Sequence, residues 1–79
     1  MHQLLYITCA DHAEAERLAE ALLKANLIAC GNIIPAVRSL FRWQGAISRS
    51  DEVLLVAKSL KPHFQIIETT VRKLHSYDL

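Results

Sequence analysis

Short apolar runs alternate with amphipathic stretches along the first part of the chain. Gln3–Thr8 (QLLYIT) is apolar and has the length of a buried strand. Asp11, followed three residues later by Glu14, forms a capping box, which predicts a helix beginning there. The apolar stripe of that helix, spaced i, i+3, i+4, i+7 and i+8, is Ala15, Leu18, Ala19, Leu22 and Leu23. Asn26 tolerates left-handed backbone and is the predicted helix terminator.

The next segment, Leu27–Trp43 (LIACGNIIPAVRSLFRW), is a long apolar run rich in β-branched residues. Strands usually have about five or six residues, so a strand filling most of this run must bend and project beyond a small sheet. Pro35 cannot donate a hydrogen bond to a neighbouring strand and therefore marks a bulge or an edge position. We expect a second copy of the chain to cover the projecting part, so the pattern predicts an oligomer.

Three further features complete the predicted order of elements. Residues 43–50 are interpreted as the hairpin tip, in which Gly45 supplies turn freedom and residues 48–51 are solvated. Glu52–Ser59 (EVLLVAKS) is the third predicted strand. Pro62 suits the first turn of a second helix, which is expected to end near His75. Its predicted inward stripe is Phe64, Ile67, Val71 and Leu74.

The resulting order, β-α-β-β-α, is that of a ferredoxin-like split βαβ sandwich without its last strand. We therefore predict one α+β domain over residues 1–79, with a long bent β-hairpin. In this topology a fourth strand is the usual partner of the first strand. Without it, the first strand is an exposed apolar edge, which favours aggregation.

Composition narrows the function classes. The chain has 79 residues, of which 52% are apolar, more than so small a monomer buries comfortably. The net charge of +1 gives no electrostatic reason to expect a nucleic-acid or membrane partner. The N-terminus has no signal-peptide pattern and no apolar run reaches 18 residues, so we expect a cytoplasmic protein. In that compartment Cys9 and Cys30 are expected to be free thiols.

Several motifs together resemble the CutA family of divalent-cation tolerance proteins. Thr8-Cys9-Ala10 follows the first strand, and the segment 27–35 (LIACGNIIP) is similar to the family's L-A-A-C-x-N-I-I-P. The segment 39–45 (SLFRWQG) resembles S-x-[YF]-x-W-x-G, and 75–78 (HSYD) resembles H-P-Y-E. Ser76 replaces the family's proline. Family members continue after this last motif into a fourth strand and a closing helix.

The resemblance implies a tight homotrimer in which long bent hairpins pair between neighbours. It also implies a role in tolerance of divalent metal ions, copper binding in some members, and no firmly assigned enzymatic activity. Copper binding in the family involves a strand-one Cys and a His pair, and these positions are Ile7 and Leu74-His75 here. His75, with Cys9 two residues beyond Ile7, is therefore the candidate ligand set for Cu(II) or another divalent ion.

The motif positions also predict an interface pocket. Its candidate residues, beside His75, are Trp43, Glu52, Lys58 and Tyr77, which could hold an anionic small molecule between subunits. The alternative interpretation makes Lys58 part of a structural ion pair and Trp43 an interface anchor. Cys30, Asn32 and Pro35 are expected to be structural or interface residues, with Cys30 packed as a small hydrophobe.

Two functions follow from these patterns. The first is a non-enzymatic homotrimer whose partner is itself, acting in the response to divalent metal ions. The second is a trimeric signalling module, similar in topology to the nitrogen-regulatory PII proteins, that binds a small anionic effector at subunit clefts. No G-x-S-x-G motif, phosphate-binding glycine-rich loop or acid/base carboxylate pair occurs, so we predict that the chain is not an enzyme.

Overall fold

A computed structural model of the chain describes residues 2–60 and 63–74. The elements are β1 (His2–Cys9), α1 (His12–Lys24), β2 (Cys30–Trp43), β3 (Ala46–Leu60) and α2 (Phe64–Leu74). This order confirms the predicted β-α-β-β-α class. Pro62, His75, Ser76 and Tyr77 lie outside the described residues.

The capping box at the start of α1 is present. Asp11 is the N-cap, and its Oδ1 accepts a hydrogen bond from the Glu14 backbone N–H at 2.8 Å. The Glu14 carboxylate reaches back and accepts from the N–H of Ala10, also at 2.8 Å. Each of these two carboxylates therefore satisfies one backbone N–H at the start of the helix. The two hydrogen bonds hold Glu14 in place, where it is only 3% exposed.

The end of α1 confirms the predicted terminator. Asn26 has φ 56°, and its N–H donates to the carbonyl of Leu23 at 3.0 Å. The N–H of Leu27 donates to the carbonyl of Leu22 at 2.9 Å, which completes a Schellman motif. This turn sends the chain back towards the sheet, where Leu27 is buried.

The sheet has three antiparallel strands in the order β1-β3-β2. Val56, on the central strand, faces Tyr6 of β1 and Asn32 of β2. Both helices lie over the same side of the sheet and cover the core. The buried apolar side chains are Ile7, Cys9, Ala15, Leu18, Ala19, Leu22, Leu27, Ile28, Leu55, Ala57, Ile67 and Val71.

The predicted apolar stripes were too long in both helices. Leu23 of α1 is 41% exposed, because the last position of the predicted stripe turns away from the sheet. In α2 only the central Ile67 and Val71 reach the core, at 2% exposure each. The two end positions, Phe64 and Leu74, overhang the core and are 43% and 48% exposed.

The hairpin tip is tighter than the sequence indicated. Gln44 and Gly45 form a two-residue turn with φ 49° and 78°, the type I′ geometry that matches the twist of paired strands. Strand pairing therefore resumes at once, with Trp43 opposite Ala46. The predicted tip over residues 43–50 was too long, since residues 46–51 belong to β3.

Pro35 lies at a β-bulge, as predicted. Ile34 is opposite Leu54, whereas Val37 is opposite Glu52, so three steps along β2 match two along β3. Ala36, within the bulge, has φ 60°. The inserted residue bends β2 and changes which side of the strand each later side chain occupies.

Candidate functional site

The side of the sheet turned away from both helices, here called the open face, carries exposed apolar side chains. Leu4 and Tyr6 of β1 are 52% and 69% exposed, and Ile34 of β2 is 44% exposed. Leu54 and Val56 of the central strand lie between them and are half-buried. A monomer with this surface leaves a contiguous apolar patch in water, which is typical of an interaction surface.

The open face continues along the projecting hairpin because of the bulge. Phe41 and Trp43 are opposite Ser48 and Ala46, which are an even number of residues from Leu54 along the unbroken strand β3 and so share its side. Their side chains therefore lie on the same side of the sheet as the residues of the open face. Phe41 is 45% and Trp43 is 61% exposed, so the apolar surface extends to the tip of the hairpin.

Lys58 lies on the open face among apolar groups and a thiol. Its neighbours across the strands are Leu4 and Cys30, and Cys30 is a half-buried free cysteine. Among residues 2–60 and 63–74, no ion pair involves Lys58. Glu52, the carboxylate considered as its partner, is six residues away on the same strand, which is ~20 Å.

The residues of the predicted interface pocket do not converge within one chain. Trp43 lies at the tip of the hairpin, Lys58 near the other end of β3, and Glu52 between them. Tyr77 lies outside the described residues. A pocket built from this set would need side chains from a second copy, and its existence stays a prediction.

The three predicted structural residues occupy different parts of β2. Cys30 begins the strand, Asn32 is exposed on the open face opposite Val56, and Pro35 is exposed at the bulge. Cys30 is more accessible than a core cysteine. A subunit packed on the open face would cover both Cys30 and Asn32.

Cys9 lies on the helix-covered side of β1. It has 0% exposure, and its thiol donates to the carbonyl of Ile7 with an Sγ–O distance of 3.7 Å. Burial, followed by the nearby carboxylates of Glu14, Asp11 and Glu52, raises the pKa of the Cys9 thiol to about 11. Because metals bind the thiolate, this environment disfavours Cys9 as a ligand.

His12 and His63 have local partners. His12 Nε2 is 2.9 Å from a carboxylate oxygen of Glu16, and His63 Nδ1 is 3.3 Å from the carbonyl of Leu27. No group of three His, Cys, Asp or Glu side chains placed to hold a metal occurs in residues 2–60 and 63–74. These residues therefore do not fit a copper site within one chain, and His75 lies outside them.

A groove between β1 and α2 was missed by the sequence reasoning. Its volume is about 250 Å³. Its apolar walls come mainly from Leu5 and Ile7 of β1 and from Phe64, Ile67 and Val71 of α2. Glu68 and Arg72 form its polar side and pair with each other at 3.0 Å. The available signal was the unpaired edge expected for the first strand, together with a phenylalanine at the start of the second helix.

No helix in the described ranges is long and apolar enough to cross a bilayer.

Comparison with known proteins agrees with the resemblance seen in the sequence. The family model of the CutA1 divalent ion tolerance protein matches residues 3–79. A divalent-cation tolerance protein CutA from Archaeoglobus fulgidus is 39% identical over 77 residues, covering 98% of this chain and 74% of the relative. A chloroplastic CutA protein from Arabidopsis thaliana is 28% identical over 76 residues, covering 96% of this chain and 42% of that relative.

The fold also agrees with solved structures of this family. The structure of the divalent cation tolerance protein from Thermus thermophilus superposes with a TM-score of 0.95 at 34% identity. The superposition covers 100% of this chain and 77% of the other. Family model, sequence relatives and fold therefore coincide over nearly the whole chain, and the chain belongs to the CutA1 divalent ion tolerance protein family.

Proposed function

We propose that this chain is a non-enzymatic, cytoplasmic homotrimer that acts in the tolerance of, or response to, divalent metal ions. Family membership supports the role in metal tolerance. The open face, which carries exposed apolar side chains from Leu4 and Tyr6 at one end to Phe41 and Trp43 on the hairpin, is the observation that carries the assembly. The threefold state itself comes from the family resemblance.

Burial of this surface supplies the driving force for assembly. Covering apolar area contributes roughly 25 cal/mol per Å², so the large exposed side chains of the open face and hairpin favour association strongly. The hairpin also extends the molecule to 39 Å along its longest axis, against 23 and 21 Å across. An arm of this length reaches over a neighbouring copy, and Trp43 near its tip is suited to anchor there.

Metal binding in this proposal is weak or indirect. The donor groups of the described residues do not assemble a copper site in one chain, and the Cys9 thiol holds its proton. His75 is therefore the principal candidate ligand for Cu(II), with three copies available in a trimer. An imidazole suits Cu(II), but a single imidazole per subunit without a second ligand beside it gives low affinity.

The test is the solution mass by light scattering, with and without one equivalent of Cu(II). The proposal expects about 27 kDa, three times the chain mass of 8.9 kDa, in both conditions. Calorimetric titration should show Cu(II) binding that weakens in His75→Ala but not in the control His12→Ala. A stable 8.9 kDa monomer in both conditions contradicts the trimer, and unchanged copper binding in His75→Ala contradicts the ligand assignment.

A second function is favoured by the position of Lys58. Covering the open face buries this ammonium between Leu4 and Cys30 with no carboxylate opposite it in its own chain. A buried cation needs a counter-charge, which a small anion at a subunit cleft would supply. This would make the chain a signalling module of the PII type, in which an effector bound between subunits is sensed by a partner protein.

Inorganic phosphate and ATP are the probes for this second function. If it is correct, either anion raises the melting temperature of the wild type and not of Lys58→Met. Lys24→Met, an exposed lysine at the end of α1, is the matched control and should keep the response. Equal melting temperatures with and without both anions would remove the support for an effector site at Lys58.

A further inference from the structure

The side of the hairpin turned away from the open face, here called the hairpin back, is basic and aliphatic. It lies on the same side of the unbroken strand β3 as the core residue Leu55. Beyond the helices this side is exposed, with Leu40 at 60% and Ile47 at 64%. The hairpin back consists of three cross-strand rows, which are Arg38 with Asp51, Leu40 with Arg49, and Arg42 with Ile47.

The three arginines form a zigzag along the hairpin back. Arg49 of β3 is diagonal to both Arg38 and Arg42 of β2, which separates its Cβ from theirs by about 7–8 Å. Successive rows are two residues apart along each strand, a step of about 7 Å. Each row therefore contributes one guanidinium, and the three form a regular line of cations.

The positive charge of this line is mostly uncompensated. Arg38 Nε is 3.3 Å from Asp51 Oδ1, in an exposed ion pair whose side chains are 64% and 83% accessible. In the described part of the chain no ion pair involves Arg42 or Arg49. Three arginines and one aspartate give the hairpin back a charge of +2, although the whole chain carries only +1.

We propose that the hairpin back binds an extended acidic segment of a partner protein, with carboxylates at alternate positions. Alternate side chains of an extended segment lie on one side and repeat every ~7 Å, so three successive carboxylates match the three rows. Arginine suits this ligand because its planar guanidinium binds a carboxylate through two parallel hydrogen bonds. Leu40 and Ile47, between the arginines, pack against the methylene groups of the bound acidic side chains.

Nucleic acid and membrane surfaces fit the hairpin back less well. Single-stranded nucleic acid binds through bases stacked on aromatic side chains, and the hairpin's Phe41 and Trp43 lie on the open face. Anionic membranes are bound by clusters of about 4–8 basic residues, whereas three arginines occur here and one of them is paired. A second copy covering the open face would lie on the other side of the hairpin, so the proposed site does not compete with that assembly.

The test measures the affinity of the full chain for fluorescein-labelled peptides by fluorescence anisotropy at low ionic strength. The probe is Glu-Thr-Glu-Thr-Glu-Thr, and the control peptide, Glu-Glu-Glu-Thr-Thr-Thr, has the same composition without alternation. We expect the control peptide to bind roughly fivefold more weakly, because its carboxylates do not all reach an arginine.

Two sets of variants locate the binding site. Arg42→Gln/Arg49→Gln should weaken binding of the probe roughly tenfold, since two ion pairs are lost. The matched control Arg17→Gln/Lys24→Gln removes two exposed charges from α1 and should bind as the wild type does. Asp51→Asn should instead strengthen binding about threefold, because it frees Arg38 from its own carboxylate.

The control for this gain is Glu20→Gln, which removes an equal charge from an exposed position on α1 and should leave the affinity unchanged. Equal affinity for the two peptides, or binding that Arg42→Gln/Arg49→Gln retains, would overturn the proposal. Tighter binding of a short oligothymidylate, lost in the same double variant, would overturn it in favour of nucleic acid. A lower solution mass of the double variant would assign the arginines to a contact between copies of this chain.

Discussion

Ile34 and Phe41 lie on the same side of the sheet although seven residues separate them along β2. Side chains alternate along a strand, so an odd separation normally places two residues on opposite faces. The bulge at Pro35 and Ala36 adds one residue to β2 and reverses the alternation beyond it. As a result, the aromatic side chains of the hairpin extend the open face instead of facing the helix side.

Ala36 should be replaceable by glycine with a gain in stability. Its φ of 60° is left-handed, which costs a residue with a Cβ roughly 1–2 kcal/mol relative to glycine. This relief exceeds the roughly 0.5–1 kcal/mol that glycine costs by adding flexibility to the unfolded chain, so we expect Ala36→Gly to raise the free energy of unfolding by about 0.5–1 kcal/mol in urea titrations. The substitution leaves the register and the open face unchanged.

Ala46→Gly is the control for this prediction. Ala46 is also exposed and paired in the hairpin, but it does not have a positive φ. Glycine there only adds flexibility to the unfolded chain and should lower stability by about 0.5–1 kcal/mol. If both substitutions changed stability in the same direction, strain at Ala36 would not be the cause.

A charge placed on the open face should weaken self-association. Tyr6 is 69% exposed, so Tyr6→Glu removes no core contact within the chain, but it puts a carboxylate into any interface that covers the open face. We expect a lower mass in light scattering and a concentration-dependent melting temperature. Ile66→Glu, at a 54% exposed position on α2, should leave the mass unchanged. An unchanged mass in Tyr6→Glu would locate the interface elsewhere.

The sequence predicted the order of elements because their signals are local. The capping box of Asp11 and Glu14 and the terminator Asn26 act through hydrogen bonds a few residues apart, and all three are present in the structure. The long run that contains Pro35 was also correctly interpreted as a strand with a bulge. The predicted start of this strand, Leu27, was too early, because β2 begins at Cys30. Leu27 and Ile28 are apolar because they pack in the core before the strand begins.

The candidate site was harder to predict because it depends on register. The polar residues 48–51 looked like a loop, but the type I′ turn at Gln44 and Gly45 keeps them paired in β3. Which side Phe41 occupies follows from a single inserted residue, and sequence periodicity alone does not locate that insertion. The groove beside β1 depends on how far α2 stands from the strand, which no local pattern encodes.

Gly31 permits the close approach of α1 to the sheet. A Cβ at this position would lie 3.3 Å from Leu55 Cδ1 and 3.5 Å from the Cβ of Ala19. Gly31→Ala should therefore be tolerated with little net change, whereas Gly31→Val should cost about 1–3 kcal/mol through overpacking. Chemical unfolding measures both values. The structural explanation would fail if valine were tolerated as well as alanine.

The two cysteines should differ in reactivity towards a thiol reagent. Cys30 is half-buried on the open face, whereas Cys9 is fully buried and its thiol holds its proton. Since the thiolate is the reactive form, an alkylating reagent at pH 8 should label Cys30 in the Tyr6→Glu variant and leave Cys9 unmodified until the chain unfolds. Peptide mass mapping identifies the labelled residue. Labelling of Cys9 in the folded chain would contradict its burial.

The same thiol predicts how stability depends on alkaline pH. The pKa of Cys9 is raised from an ordinary value of 9.0 to about 11 in the folded chain. Between these values the unfolded chain has released the thiol proton and the folded chain has not. The unfolded state then binds fewer protons, so the free energy of unfolding falls as pH rises, by about 1.4 kcal/mol per pH unit across this window.

Cys9→Ala isolates this contribution. It removes the titrating group and leaves every other ionisable group of the chain in place. Below pH 9 the variant should be less stable than the wild type by about 1 kcal/mol, because a small buried side chain has been shortened. Towards pH 11 the difference should shrink and then reverse, since only the wild type must keep a thiol protonated in order to stay folded. Urea titrations from pH 8 to 11 give both curves, and parallel curves would mean that the thiol of Cys9 titrates equally in the folded and unfolded chains.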